Sequence, residues 1–154
     1  MQRFIHALIG AALLAASCGS AAVSFDCPVT TPNGFVPPDT ITSPRLDEFT
    51  WHGSERLFTP FNADGSYFLR KTVFWSSDFP GGGVEERPAV DITWRRIDID
   101  ADPITNDGDA TNASTAEDGW FMIAGIDPDE PGCWQVDAEY KGAELSYVYE
   151  IEGA

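Results

Sequence analysis

Short runs in which apolar and polar residues alternate fill most of this chain. "AVDITWRRIDI", residues 89–99, sets Val90, Ile92, Trp94 and Arg96 on one face, with Asp91, Thr93 and Arg95 on the other. "CWQVDAEY", residues 133–140, sets Trp134, Val136, Ala138 and Tyr140 against Gln135, Asp137 and Glu139. After Lys141-Gly142, "AELSYVYEI" returns with Leu145, Tyr147, Tyr149 and Ile151 in register. A repeat of two is what a half-buried antiparallel strand requires. "ERLFTPF" and "SYFLRKTVFW" flank Asn62-Ala63-Asp64-Gly65, and Asp-Gly is a hairpin turn. "GWFMIAGI", residues 119–126, is an apolar run of strand length. No segment carries a stripe with helical spacing. The pattern predicts about six or seven strands. The fold class expected over residues 45–154 is a single all-β, immunoglobulin-like antiparallel β-sandwich, in the loose sense of that term.

The first 44 residues read differently. Residues 1–17 open with Arg3 and run into "IHALIGAALLAA", residues 5–16. That run is too short for a bilayer core, which needs roughly 20 residues. A basic start, a short apolar run and small residues make a secretory signal peptide. A buried N-terminal helix would need a polar face at helical spacing, and there is none. Leu14-Ala15-Ala16-Ser17-Cys18 resembles the lipobox of bacterial lipoproteins, in which cleavage precedes a cysteine that is then acylated. Ala15 stands where that motif prefers Leu. The resemblance implies lipidation of Cys18 and a membrane-anchored protein. Ordinary cleavage after Ser20-Ala21-Ala22 is the alternative and would release a soluble domain starting at Val23. Residues 18–44 hold Pro28, Pro32, Pro37, Pro38 and Pro44, which recur too often for a helix and predict an extended arm.

Either cut accounts for one of the three cysteines, Cys18, and leaves Cys27 and Cys133. In an oxidising, extracytoplasmic compartment the expectation is a disulfide between them. Its loop of 106 residues is worth roughly 4 to 5 kcal/mol in the chain-entropy account. Of the nine basic residues, Arg3 leaves with the leader, so eight face 25 acidic ones. Such a surface argues against nucleic acid, whose binding needs cations to replace released counterions. It also argues against docking on anionic headgroups.

Candidate chemistry is sparse. His52, in "WHGS", is the histidine that remains once the leader is removed. A serine such as Ser54 and an aspartate would have to come within hydrogen-bond reach of it to make a triad. Gly-x-Ser-x-Gly does not occur in the chain. Zinc needs three or four Cys and His ligands, more than a bridged pair and one histidine supply. Asp98, Asp100, Asp102 and Asp109 fall at positions 1, 3, 5 and 12 of a calcium loop. Pro103 stands where that loop needs Gly, and Asp109 where it needs Glu. A solvated acidic loop is the plainer reading, and no cofactor is expected. Asn112-Ala113-Ser114 is a glycosylation triplet of little weight behind a bacterial-type leader. Phe58, Phe61, Tyr67 and Phe68 flank a hairpin tip and form the candidate exposed aromatic row for a glycan or peptide.

"CPVTTPNGFVPP", "WHGSERLF" and "PGCWQVDAEYKGAELSYVYEI" together resemble a group of small exported bacterial proteins. That group shares a Cys-Pro-Val-Thr-x-Pro-Asn-Gly segment, a Trp-His-Gly segment and a closing Gly-Cys-Trp-x-Val hairpin. Residues 76–88, "SSDFPGGGVEERP", depart from it, lacking a Trp-rich basic stretch. The resemblance implies export, the cysteine pair and a β fold, and brings no catalytic residues with it. The function expected is a non-enzymatic, lipid-anchored binding or envelope-accessory module with an envelope or extracellular partner. The alternative is an inhibitor or hydrolase activity on the sandwich loops, for which "FPGGGVEERP" is long enough.

Overall fold

The computed structural model of the protein describes residues 25–41, 48–66, 71–106, 108, 110–116, 118–125, 128 and 130–153. The expected leader, residues 1–17, and Cys18, Tyr67, Phe68 and Asp109 lie outside the described residues. Among the described residues nine strands run in order: β1 (Phe49–Ser54), β2 (Leu57–Asn62), β3 (Val73–Phe74), β4 (Asp91–Arg96), β5 (Ile104–Thr105), β6 (Thr111–Thr115), β7 (Gly119–Ile123), β8 (Gly132–Tyr140) and β9 (Ala143–Ile151). All pairings are antiparallel. The described residues are all-β, as their alternation requires.

One layer is a four-stranded sheet in the order β5-β4-β8-β9. Its centre is the β8–β9 hairpin, in register from Gly132↔Ile151 to Tyr140↔Ala143. Lys141 and Gly142 turn that hairpin with positive φ at both positions, 49° and 71°, the conformation of a tight two-residue turn. The second layer joins β1-β2 to β3-β7-β6. The join is one bridge, Phe58↔Trp75, in which each N–H reaches the other's carbonyl at 3.0 and 2.9 Å.

The main core lies between the layers. Ile92, Trp94, Trp134, Val136, Tyr140, Leu145 and Tyr147 meet Leu57, Phe61, Phe74 and Met122 there. A second cluster lies on the outer side of β1-β2-β3, where Trp51, Phe58 and Trp75 pack with Ile41. Their rings sit 5.3 to 6.1 Å apart. Phe35 of the arm adds a further ring, 4.8 Å from Phe58. β2 is therefore covered on both sides, and this is why "LFTPF" shows no alternation.

Three expectations change. Phe58 and Phe61 are 2% and 0% exposed, so they are not an open row. Phe58 turns outward beneath the arm, and Phe61 turns inward against Tyr147 at 5.5 Å. A hairpin across Glu55-Arg56, not anticipated from "WHGSER", makes β1 a strand of its own. The acidic run 98–119 is not one loop, because β5 and β6 form within it.

Candidate functional site

The segments singled out in the sequence meet along one side of the sandwich. Cys27 is bridged to Cys133 of β8, with Cα atoms 5.6 Å apart. From there the arm follows β9, whose outer edge would otherwise offer unpaired backbone groups. The Thr30 N–H donates to the Val148 carbonyl at 2.9 Å. The Val148 N–H donates to Thr30 Oγ1 at 2.8 Å. The arm then passes to the other layer. Asn33 Nδ2 donates to the Gly53 carbonyl at 2.7 Å, and Asn33 Oδ1 accepts from the Gly53 N–H at 3.2 Å.

His52 belongs to the same clasp. Its Nδ1 accepts from the Asn33 N–H at 3.2 Å. Because Nδ1 is an acceptor, the proton is on Nε2, which donates to the Ser146 carbonyl of β9 at 3.3 Å. Both ring nitrogens are thus engaged with backbone, and the ring edge meets Phe61 at 5.8 Å. Neither nitrogen is left to take a proton from Ser54, which is exposed. Gly53 has to be glycine here: its φ is +128°, and a Cβ would collide with the Leu57 carbonyl oxygen.

The Gly132-Cys133-Trp134 triplet is explained by a second junction. The Arg96 guanidinium donates to both oxygens of Asp98, Nε to Oδ1 at 2.8 Å and Nη2 to Oδ2 at 2.6 Å. Its Cζ lies 5.5 Å from the Trp134 ring centre. A side chain at Gly132 would strike that guanidinium. The Arg96 hydrogen bonds hold the Asp98 carboxyl down to about 2. Asp98 is therefore committed to Arg96. Asp100 shares the turn at residues 97–100 with Asp98, Asp102 lies in the extended stretch after it, and Asp109 lies outside the described residues. Among the described residues no three His, Cys, Asp or Glu side chains are gathered to hold a metal ion.

Residues 76–90 are fastened to the sandwich. Phe79 is buried in the core. The Glu85 carboxylate accepts from Tyr140 Oη at 2.7 Å and from Lys141 Nζ at 2.8 Å. Burial pushes Glu85 up, but these donors, the Ala89 N–H and the Lys141 charge together bring it below its ordinary value. Asn112 Nδ2 donates to the Glu86 carbonyl. The Trp120 indole lies over Gly81 and Gly82 and is 46% exposed.

The outer face of the four-stranded sheet has a shallow hollow lined by Asp91, Thr93, Asp137, Glu139, Glu144 and Ser146. Asp137 accepts from Gln135 Nε2 at 2.9 Å and from Ser146 Oγ at 2.7 Å. These carboxylates make that face acidic. No protein-family model, curated protein or solved structure matches the chain.

Sequence reasoning identified Cys27, Cys133 and His52. It missed Asn33, Thr30, Arg96 and Glu85 as the groups that fix the arm and loops. Asn33-Gly34 had a visible signal, a turn dipeptide in a Pro-rich arm. Arg96 also had one, as a cation at an inward-facing position of β4.

Proposed function

We propose that this chain is an exported, lipid-anchored, non-enzymatic envelope-accessory module, whose arm straps the sandwich close to its anchor. The observation that carries this reading is the Cys27–Cys133 bridge, which is compatible with an oxidising, extracytoplasmic setting. Cys18 precedes Cys27 by nine residues, at most about 30 Å of extended chain. An acylated Cys18 would hold the bridged side of the domain within that distance of the lipid. Asp98, Glu150 and Glu152 lie around Cys27 and Cys133. Repulsion from anionic headgroups would keep this side off the surface, leaving the domain tethered but not docked. The engaged nitrogens of His52 support the non-enzymatic part. The resemblance to small exported bacterial proteins implies export and the cysteine pair.

The test is the intact mass of the protein expressed from its full gene in a bacterial host. The expected species begins at Cys18 and carries acyl chains. A species beginning at Val23 with no added mass would overturn the anchoring. A gain of about two daltons on reduction is expected from the bridge.

A further inference from the structure

We propose that the hollow beside Trp120 is a carbohydrate-binding site, which takes one neutral pyranose ring with equatorial substituents from a glycan. The proposal does not depend on the lipid anchor.

Four of the five tryptophans are buried, at 2 to 9% exposure, whereas Trp120 is 46% exposed. A large ring left open is the exception that calls for a reason. This ring is held in place. A side chain at Gly81 would strike its five-membered ring at Cδ1, Cγ and Nε1, and one at Gly82 would strike its six-membered ring at Cζ3. The indole therefore lies along the Gly81-Gly82 backbone, with both of its rings supported from that side. The support is itself fixed. The Gly81 carbonyl accepts from the Val84 and Glu85 N–H groups, both at 3.0 Å, and the Glu85 carboxylate is held by Tyr140 and Lys141. The other face of the indole is the open one. A platform set before its ligand arrives loses little freedom on binding.

The hollow at this ring has a volume of about 260 Å³ and is also lined by Trp75, Phe79, Ser76, Asp118 and, from the arm, Thr40. It is smaller than the roughly 300 to 1,000 Å³ of sites for drug-sized ligands, and suits a single ring. Polar groups converge on it. Asp118 Oδ2 accepts from Thr115 Oγ1 at 2.9 Å, and the Asp118 N–H donates to the same oxygen at 2.7 Å. These bonds orient the carboxylate and leave Oδ1 to accept. Ser76 Oγ accepts from the Asp78 N–H at 3.0 Å and keeps its own proton to donate. The Asp118 carbonyl takes the Trp75 indole N–H at 2.9 Å, which ties the wall of the hollow to its polar side.

One open aromatic face beside a hydroxyl and a carboxylate matches a sugar. The C–H bonds on the face of an all-equatorial pyranose carry a small positive charge and meet the negative face of an indole. Its hydroxyls project from the ring edge, where they donate to a carboxylate and accept from a serine. A quaternary ammonium is best held among several aromatic faces, and Trp75 and Phe79 are only 9% and 8% exposed. An anionic ligand would meet Asp118 and a chain of net charge −16. A neutral ring is what these groups select.

An NMR titration of the exported protein tests this, in a polyoxyethylene detergent, which has no sugar headgroup. The probes are cellotriose and chitotriose. The reporters are the N–H signals of Trp75, Ser76, Gly119 and Trp120. At least one probe is expected to shift them saturably, with a dissociation constant of about 1 mM. Trp120→Ala should weaken that binding at least about tenfold, while Trp120→Tyr, which restores an aromatic face, stays within about threefold of the wild type. Unchanged Val136 and Tyr147 signals in Trp120→Ala separate a lost platform from a damaged fold. Asp118→Asn keeps both the ring and the backbone bond to Trp75, and should weaken binding about fivefold. No shift with either sugar at about 20 mM overturns the proposal. Wild-type affinity in both Trp120→Ala and Asp118→Asn places the sugar elsewhere and overturns it too. Saturation by tetramethylammonium with neither sugar bound overturns it in favour of a cation.

Discussion

Asp98 and Asn33 show how much rests on single side chains. Asp98 accepts two hydrogen bonds from Arg96, and these hold its carboxyl at about 2 against an ordinary 3.8. The folded form therefore binds this proton less readily than the unfolded chain. Stability from this pair is complete above about pH 4 and is lost as the pH falls through about 2. Asp98→Asn should flatten the decline of thermal midpoint in that window while lowering the midpoint at neutral pH. A variant that kept the wild-type slope would show that another carboxylate sets the acid limb. Asn33 makes the reciprocal pair with Gly53 and also accepts from the Phe35 N–H at 3.2 Å. Asn33→Ala should cost about 1 to 2 kcal/mol in urea unfolding. A change under about 0.3 kcal/mol would mean that the clasp adds little beyond the bridge.

At the scale of elements, the arm and β9 form one unit. β9 sits at the end of its sheet, and the arm closes that edge through Thr30, with His52 of β1 completing it. The arm also lays Phe35 and Ile41 over the outer aromatic cluster of Trp51, Phe58 and Trp75. Apolar contact there supplements the covalent staple at Cys27. The double variant Cys27→Ser/Cys133→Ser should lose roughly 4 kcal/mol, the value for a loop of this length. Its local signature is faster amide exchange at Thr30 and Val148, with Val136 in the sheet centre changing only with global stability. Equal acceleration at all three sites would mean that the arm opens only when the whole domain unfolds.

For the whole molecule, strong net charge and a covered edge point the same way, toward a domain that repels neighbours at low salt. The alternation in "DITWRR", "CWQVDAEY" and "AELSYVYEI" was enough to specify β4, β8 and β9, because each of these strands has one face in the core. The cysteine pairing was legible because reading the first residues as a cleaved leader takes Cys18 out of the choice. β1 and β2 were less legible, because the arm covers their outer side and removes the contrast between faces. β5 and β6 were hidden in an acidic run, since edge strands bury too little to need an apolar face. What the sequence determined by itself was the strand class, the closing hairpin and the cysteine partners. Those follow from local periodicity and from the arithmetic of three thiols. Only the tertiary structure decided what His52 does, because its two partners lie 19 and 94 residues away. Spacing along a chain cannot report which backbone groups a folded edge leaves to be satisfied.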